Sequence, residues 1–163
     1  MRRALPVLLV LACGLAIPAS AAPPSAQKLL WATVNVCDTQ THPDMMGVRA
    51  SMPGDGDRSK MYMRFAAQYY SRSKQLWFDV GQNGLSKWIY VGSGIYRVKQ
   101  GGYTFAFDAP ASGNAFTLRG AVDFKWVKNG HVVRTAHVVT HSGHPNTAGA
   151  DPADFSASLC QIT

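Results

Sequence analysis

The sequence predicts an all-β fold, a single β-sandwich of about nine strands. Three observations predict it. Short runs from Leu30 onward alternate apolar and polar residues with period two. Clusters of Gly, Pro, Asn and Asp separate those runs. All nine acidic residues are Asp, so the Glu/Lys-rich faces of surface helices are missing.

The chain opens on an export signal. Arg2 and Arg3 precede a mostly apolar stretch, Leu5 to Ile17, and Ala19-Ser20-Ala21 is a small-x-small cleavage site. The apolar stretch is shorter than the roughly 20 residues of a spanning helix. Val10-Leu11-Ala12-Cys13 is the alternative, a lipoprotein box with lipidation at Cys13. The expected organisation is a signal peptide over 1–21, a Pro-containing tether over 22–28 and one domain over 29–163. The expected location is outside the cell.

Cutting at Ala21 leaves two of the three cysteines, Cys37 in the first strand run and Cys160 in the last. Export exposes them to oxidising surroundings, and two cysteines allow one pairing. Such a bridge closes most of the mature chain into a loop, worth about 4.7 kcal/mol in the chain-entropy model. Neither cysteine has neighbours suited to a nucleophile or a metal thiolate.

The strand runs follow in order. Leu30, Ala32, Val34 and Val36 share one face of the first. Val48, Ala50 and Met52 mark the second, which ends at Pro53 before a Gly/Asp turn. Met61, Met63, Phe65 and Ala67 alternate with Tyr62, Arg64, Gln68 and Tyr70. Leu76-Phe78-Val80 and Ile89-Val91 are the next two. Tyr96-Val98 and Tyr103-Phe105-Phe107 flank Gly101-Gly102, read as a turn. Phe116 to Trp126 is the clearest strand, with Leu118, Val122 and Phe124 on its apolar face. Asn129-Gly130 then predicts a tight hairpin, since both residues tolerate positive φ. His131 to Thr140 returns, Ser142 to Pro152 is a loop, and Phe155 to Ile162 is the last strand.

The segment Tyr103 to Thr140 resembles the later strands of immunoglobulin-like and fibronectin-type-III-like domains. The whole mature chain resembles small secreted bacterial proteins of that shape that carry no assigned activity. The features are Arg49-Ala50-Ser51-Met52-Pro53-Gly54, Met61-Tyr62-Met63-Arg64-Phe65, Leu118-Arg119-Gly120-Ala121-Val122 and Gly149-Ala150-Asp151-Pro152. The resemblance implies a sandwich in which the first and last strands lie close, and it brings no functional residue. It departs from antibody-type domains, whose bridge joins two internal strands.

Function classes narrow mostly by what is missing. There is no Gly-x-Ser-x-Gly elbow, no His-Glu-x-x-His and no phosphate-cradling loop. The expectation is a protein that is not an enzyme and needs no cofactor. Without Arg2 and Arg3 the formal net charge falls from +7 to +5, and the basic residues are scattered. That pattern suits a solvated surface with weak attraction to acidic polymers, and no nucleic-acid partner is expected. His131, His137, His141 and His144 are the candidates for a metal or hydrolytic site. On one strand, His137 and His141 lie about 13 Å apart, too far to share an ion. Asp55 and Asp57 lack the further ligands of a calcium loop. No metal site is expected.

Aromatic placement gives the sharper expectation. If the apolar residues of the third to fifth runs point inward, Tyr62, Tyr70, Trp77, Trp88 and Tyr90 point outward together. Flat aromatics beside Arg64 and Gln68 form a surface for sugar rings or a protein partner. A one-residue bulge would reverse that parity. The expected function is a secreted non-catalytic module binding an extracellular or cell-envelope glycan or protein. The alternatives are a small exported metal-binding protein or hydrolase using the His131–His144 region, and a purely structural envelope domain.

Overall fold

A computed structural model describes residues 28–163. The expected export signal, and all of the expected tether except Lys28, lie outside the described residues. Nine strands form two antiparallel sheets, with one 3-10 turn at Gln82–Gly84 and no α-helix among the described residues.

The smaller sheet contains β1 (Trp31–Thr39), β2 (His42–Pro53) and β6 (Val98–Ala106), in the order β1-β2-β6. The larger is built on two long strands, β3 (Lys60–Ser71) and β7 (Phe116–Lys128), paired from Lys60↔Val127 to Tyr69↔Leu118. β4 (Leu76–Asp79) and β5 (Ile89–Ser93) share the free edge of β3. β8 (His131–Val139) and β9 (Cys160–Ile162) share the free edge of β7.

Alternation dictates the core. Val34, Met46, Val48 and Met52 face inward from the small sheet; Met61, Met63, Phe65, Leu118, Val122, Phe124 and Trp126 face them from the large one. Each is at most 1% exposed, so the two layers exclude water between them. The methionines fill irregular gaps between flat and branched side chains. Trp126 is fully buried, and its indole N–H donates to the Pro53 carbonyl at 3.0 Å, so its one polar group is satisfied. Gly120 interrupts the apolar face of β7 because the sheets approach there: a Cβ would lie 2.6 Å from Val48 Cγ2.

The expected hairpin is present. Asn129 and Gly130 take φ of 51° and 82° between β7 and β8. The expected disulfide is also present. Cys37 on β1 bonds Cys160 on β9, with Cα atoms 5.3 Å apart. The first strand lies in one sheet and the last in the other, so the bridge ties the two layers together.

Two boundaries differ from the sequence reading. Gly101-Gly102 is not a turn; it lies inside β6, paired with Ala50 and Arg49. Glycine suits the close approach of neighbours there. A Cβ on Gly101 would sit 3.0 Å from the Met63 sulfur, and the Arg49 side chain lies over Gly102. The last strand is also shorter than Phe155 to Ile162, since only Cys160–Ile162 joins the ladder. The preceding residues turn onto β1 instead. Val34 and Ala157 exchange both backbone hydrogen bonds, at 2.9 and 3.0 Å. The Ser156 hydroxyl meets Thr33 Oγ1 at 2.7 Å, and the His144 ring stacks on Trp31 at 4.4 Å. The Asn35 amide donates to the carbonyls of Ala148 and Gly149. Residues 141–159 thereby run along the free edge of β1 and pack on its outward side chains Thr33 and Asn35.

Candidate functional site: an aromatic and cationic sheet face

On β3, the inward set Met61, Met63, Phe65 and Ala67 leaves Tyr62, Arg64, Ala66, Gln68 and Tyr70 on the outer face. Pairing across the ladder carries that face to the neighbouring strands. Tyr70 stands opposite Trp77, and Gln68 opposite Asp79. Tyr62 stands opposite Tyr90. On the far side of β3, Gln68 meets Arg119, Ala66 meets Ala121, Arg64 meets Asp123 and Tyr62 meets Lys125. The five aromatic residues expected to share a face do share it. A register shift does occur between β3 and β5, at Met61/Tyr62, but it falls after Trp88 and Tyr90 and leaves both outward.

Two clusters form on this face. In the first, the Tyr70 and Trp77 rings lie 5.2 Å apart. The Arg119 guanidinium sits over Trp77, 4.3 Å from the ring centroid. Its Nε donates to Gln68 Oε1 at 2.8 Å, and Gln68 Nε2 donates to Asp79 Oδ1 at 2.9 Å. Partial burial of Arg119 pulls its pKa below the ordinary arginine value.

In the second cluster, Tyr62 and Tyr90 pack edge to face at 5.5 Å. Lys125 Nζ lies 4.1 Å from the Trp88 centroid and 5.2 Å from that of Tyr62. Arg64 lies over Trp88 at 4.8 Å and donates to Asp123 Oδ2 through Nη2 at 2.8 Å. His137 Nδ1 meets the other Asp123 oxygen at 2.7 Å. Burial raises the Asp123 pKa, but the hydrogen bonds from His137 and Arg64 outweigh it and hold the carboxyl below its usual value. A hollow of about 350 Å³ opens here, lined by Arg64, Trp88, Asp123 and His137 among others.

The tryptophan rings are half-buried, not bare. The cations lie over them, so the surface presents charge on an aromatic bed. Tyr90 is the most open of the five, at 56% exposure. Between the clusters stand two short side chains, the half-buried Ala66 and the buried Ala121, beside the exposed Leu85. Arg119 and Lys125 were not tied to this site by the sequence. Their alternation with Ala121 and Asp123 along β7 is legible, but the lateral pairing of β7 with β3 is not.

The histidines are distributed. His131 starts β8 opposite Lys128, His137 bonds Asp123, and His144 stacks on Trp31. Among the described residues no three His, Cys, Asp or Glu side chains gather as metal ligands. Two His–Asp pairs exist, His137–Asp123 and His42–Asp151. At His42 the Thr41 hydroxyl and the Asp151 carboxylate both meet Nδ1. A relay needs them on opposite ring nitrogens. Asp57, in the Gly-rich turn, is engaged by the Lys128 ammonium.

No protein-family model matches the chain, and no curated protein matches it in sequence.

Proposed function

We propose that the protein is a secreted, non-catalytic β-sandwich module of immunoglobulin-like or fibronectin-type-III-like type. Its ligand is a glycan outside the cell or in the cell envelope, held on the outer face of the larger sheet. The observation that carries this reading is the placement of Trp77 and Trp88 on one open face, in two clusters that each pair an aromatic bed with a fixed cation. Aromatic rings with oriented donors are what carbohydrate recognition needs.

The strand order supports the immunoglobulin-like assignment. A sheet of β1-β2-β6 facing one in which β3, β7 and β8 are consecutive parallels the division into A-B-E and C-F-G strands. β4 and β5 then occupy the place of the additional strands beside C. Secretion is supported by the basic, apolar and small-residue order of residues 1–21 together with the disulfide. The non-catalytic reading is supported at His42, where the hydroxyl and the carboxylate meet the same ring nitrogen.

The test is binding of the purified mature protein to a panel of polysaccharides and envelope fractions. Wild type is expected to be retained, and Trp77→Ala and Trp88→Ala are expected to lose retention while unfolding at nearly the same temperature. Binding only to envelope fractions stripped of polysaccharide would assign a protein partner instead. Retention by none of these materials would leave the module structural.

A further inference from the structure

We infer that the glycan is an acidic one: a linear polysaccharide of uronic acid residues that runs along the outer face and touches both tryptophan clusters. This rests on the carbohydrate-binding reading above and names the class of carbohydrate.

Charge complementarity is the first argument. Lys60, Arg64, Arg119 and Lys125 project from the outer side of β3 and β7, against Asp79 and Asp123. Both carboxylates are already engaged, Asp123 by Arg64 and His137, Asp79 by Gln68. Arg119 and Lys125 form no ion pair with any carboxylate among the described residues. Two cations are thus held against rings with no internal counter-ion among the described residues. An incoming anion supplies what the fold withholds.

The second argument concerns ring faces. A neutral sugar stacks on bare aromatic surface. Here Arg119 lies over Trp77, and Arg64 and Lys125 lie over Trp88. The ligand therefore meets N–H donors backed by a ring. A carboxylate attached directly to a pyranose is planar, matches the guanidinium fork and can lie flat against that bed; a tetrahedral sulfate cannot lie flat.

The third argument is length. Arg64 and Tyr70 mark the two clusters on β3 and lie about 20 Å apart, at about 3.3 Å per residue. One sugar unit cannot touch both. The residues between them, Ala66 and Ala121, carry only methyl side chains, and Ala121 is buried beneath its neighbours, so a chain joining the clusters passes over that packed stretch.

The experiment titrates the disulfide-intact mature protein with polygalacturonate, dextran and dextran sulfate. Polygalacturonate is expected to bind, with affinity falling as salt rises. Arg119→Gln and Lys125→Gln are each expected to weaken it about tenfold. Arg119→Lys, which keeps the charge and loses the fork, recovers only part. The galacturonate disaccharide, which reaches one cluster, is expected to bind far more weakly than long chains. An unchanged unfolding temperature in each variant shows that the fold is kept. If dextran binds as well as polygalacturonate, the glycan reading stands and the acidic assignment is overturned. If dextran sulfate binds as tightly, charge density alone is recognised and the uronate assignment is overturned. If no polysaccharide binds, both readings fall.

Discussion

The two outer faces of the sandwich are treated in opposite ways. On the small sheet, the outward residues of β1 are Thr33 and Asn35, 0% and 6% exposed although both are polar. Residues 141–159 lie over them and satisfy their hydrogen-bonding groups. On the large sheet the outward residues are larger and more apolar, among them two tryptophans, yet no segment of the described chain lies over them. The hydrophobic effect alone would cover the aromatic face first. The chain instead covers the polar outward residues of β1, where hydrogen bonds fix the covering segment, and leaves open the side where aromatic area and cations coincide. That inversion is what the proposed role of the open face in binding a glycan would require.

The contrast can be broken most severely at the disulfide. Replacing Cys37 and Cys160 by Ala frees the segment that ties the covering residues and β9 to β1. Urea unfolding is expected to show a loss of roughly 2–5 kcal/mol. Polysaccharide retention at low temperature is expected to persist, because the open face is built from β3, β4, β5 and β7. Asn35→Ala acts on the covered side alone. It removes two side-chain hydrogen bonds to the 148–149 backbone and is expected to cost roughly 1–2 kcal/mol, read by the same unfolding curve.

Acid should loosen the cover before the core. Asp151 accepts hydrogen bonds from Thr39 and Thr41 and meets His42, which lowers its pKa from 3.8 to about 2. A carboxyl depressed in the folded state stabilises it fully above the unfolded pKa and loses that effect as pH falls through the folded one. Hydrogen-exchange protection of the covering segment is therefore expected to fall between pH 3.8 and about 2, ahead of β3 and β7. Asp151→Asn should show the weaker protection already at neutral pH.

The smallest stability effect is expected where the binding effect is largest. Trp77→Ala removes a half-buried ring from an open face and should cost below about 1 kcal/mol in unfolding. It should nevertheless abolish polysaccharide retention. A cost as large as that of a core aromatic would show that Trp77 serves packing and would remove the contrast between the faces.

What the sequence disclosed follows from how local each feature is. The β7 alternation, the Asn129-Gly130 reversal and the outward parity of Trp77 and Trp88 depend on neighbours within a few residues. So does the pairing of two cysteines when only two remain. The role of Arg119 and Lys125 depends on β7 lying beside β3, a contact between residues about sixty positions apart that no short window records. Gly101-Gly102 reads as a turn locally, and only its pairing with Ala50 and Arg49 on the distant β2 makes it strand. Leu76, expected inward, is 58% exposed because β4 is a short edge strand whose end overhangs the core. The segment before β9 has strand-like alternation, but its backbone bonds go to Val34 and its hydroxyls to Thr33, so it becomes a cover and not a ladder strand.

The bond between Cys37 and Cys160 has one more consequence. It encloses all but the rim of the described domain within a single covalent ring, 123 positions around. A protease that cuts any one of the exposed turns inside that ring releases nothing: both pieces stay attached, each still paired to the strands of the other. In surroundings rich in hydrolytic enzymes, a molecule wired this way outlasts its first wound and comes apart only when reduced or cut twice.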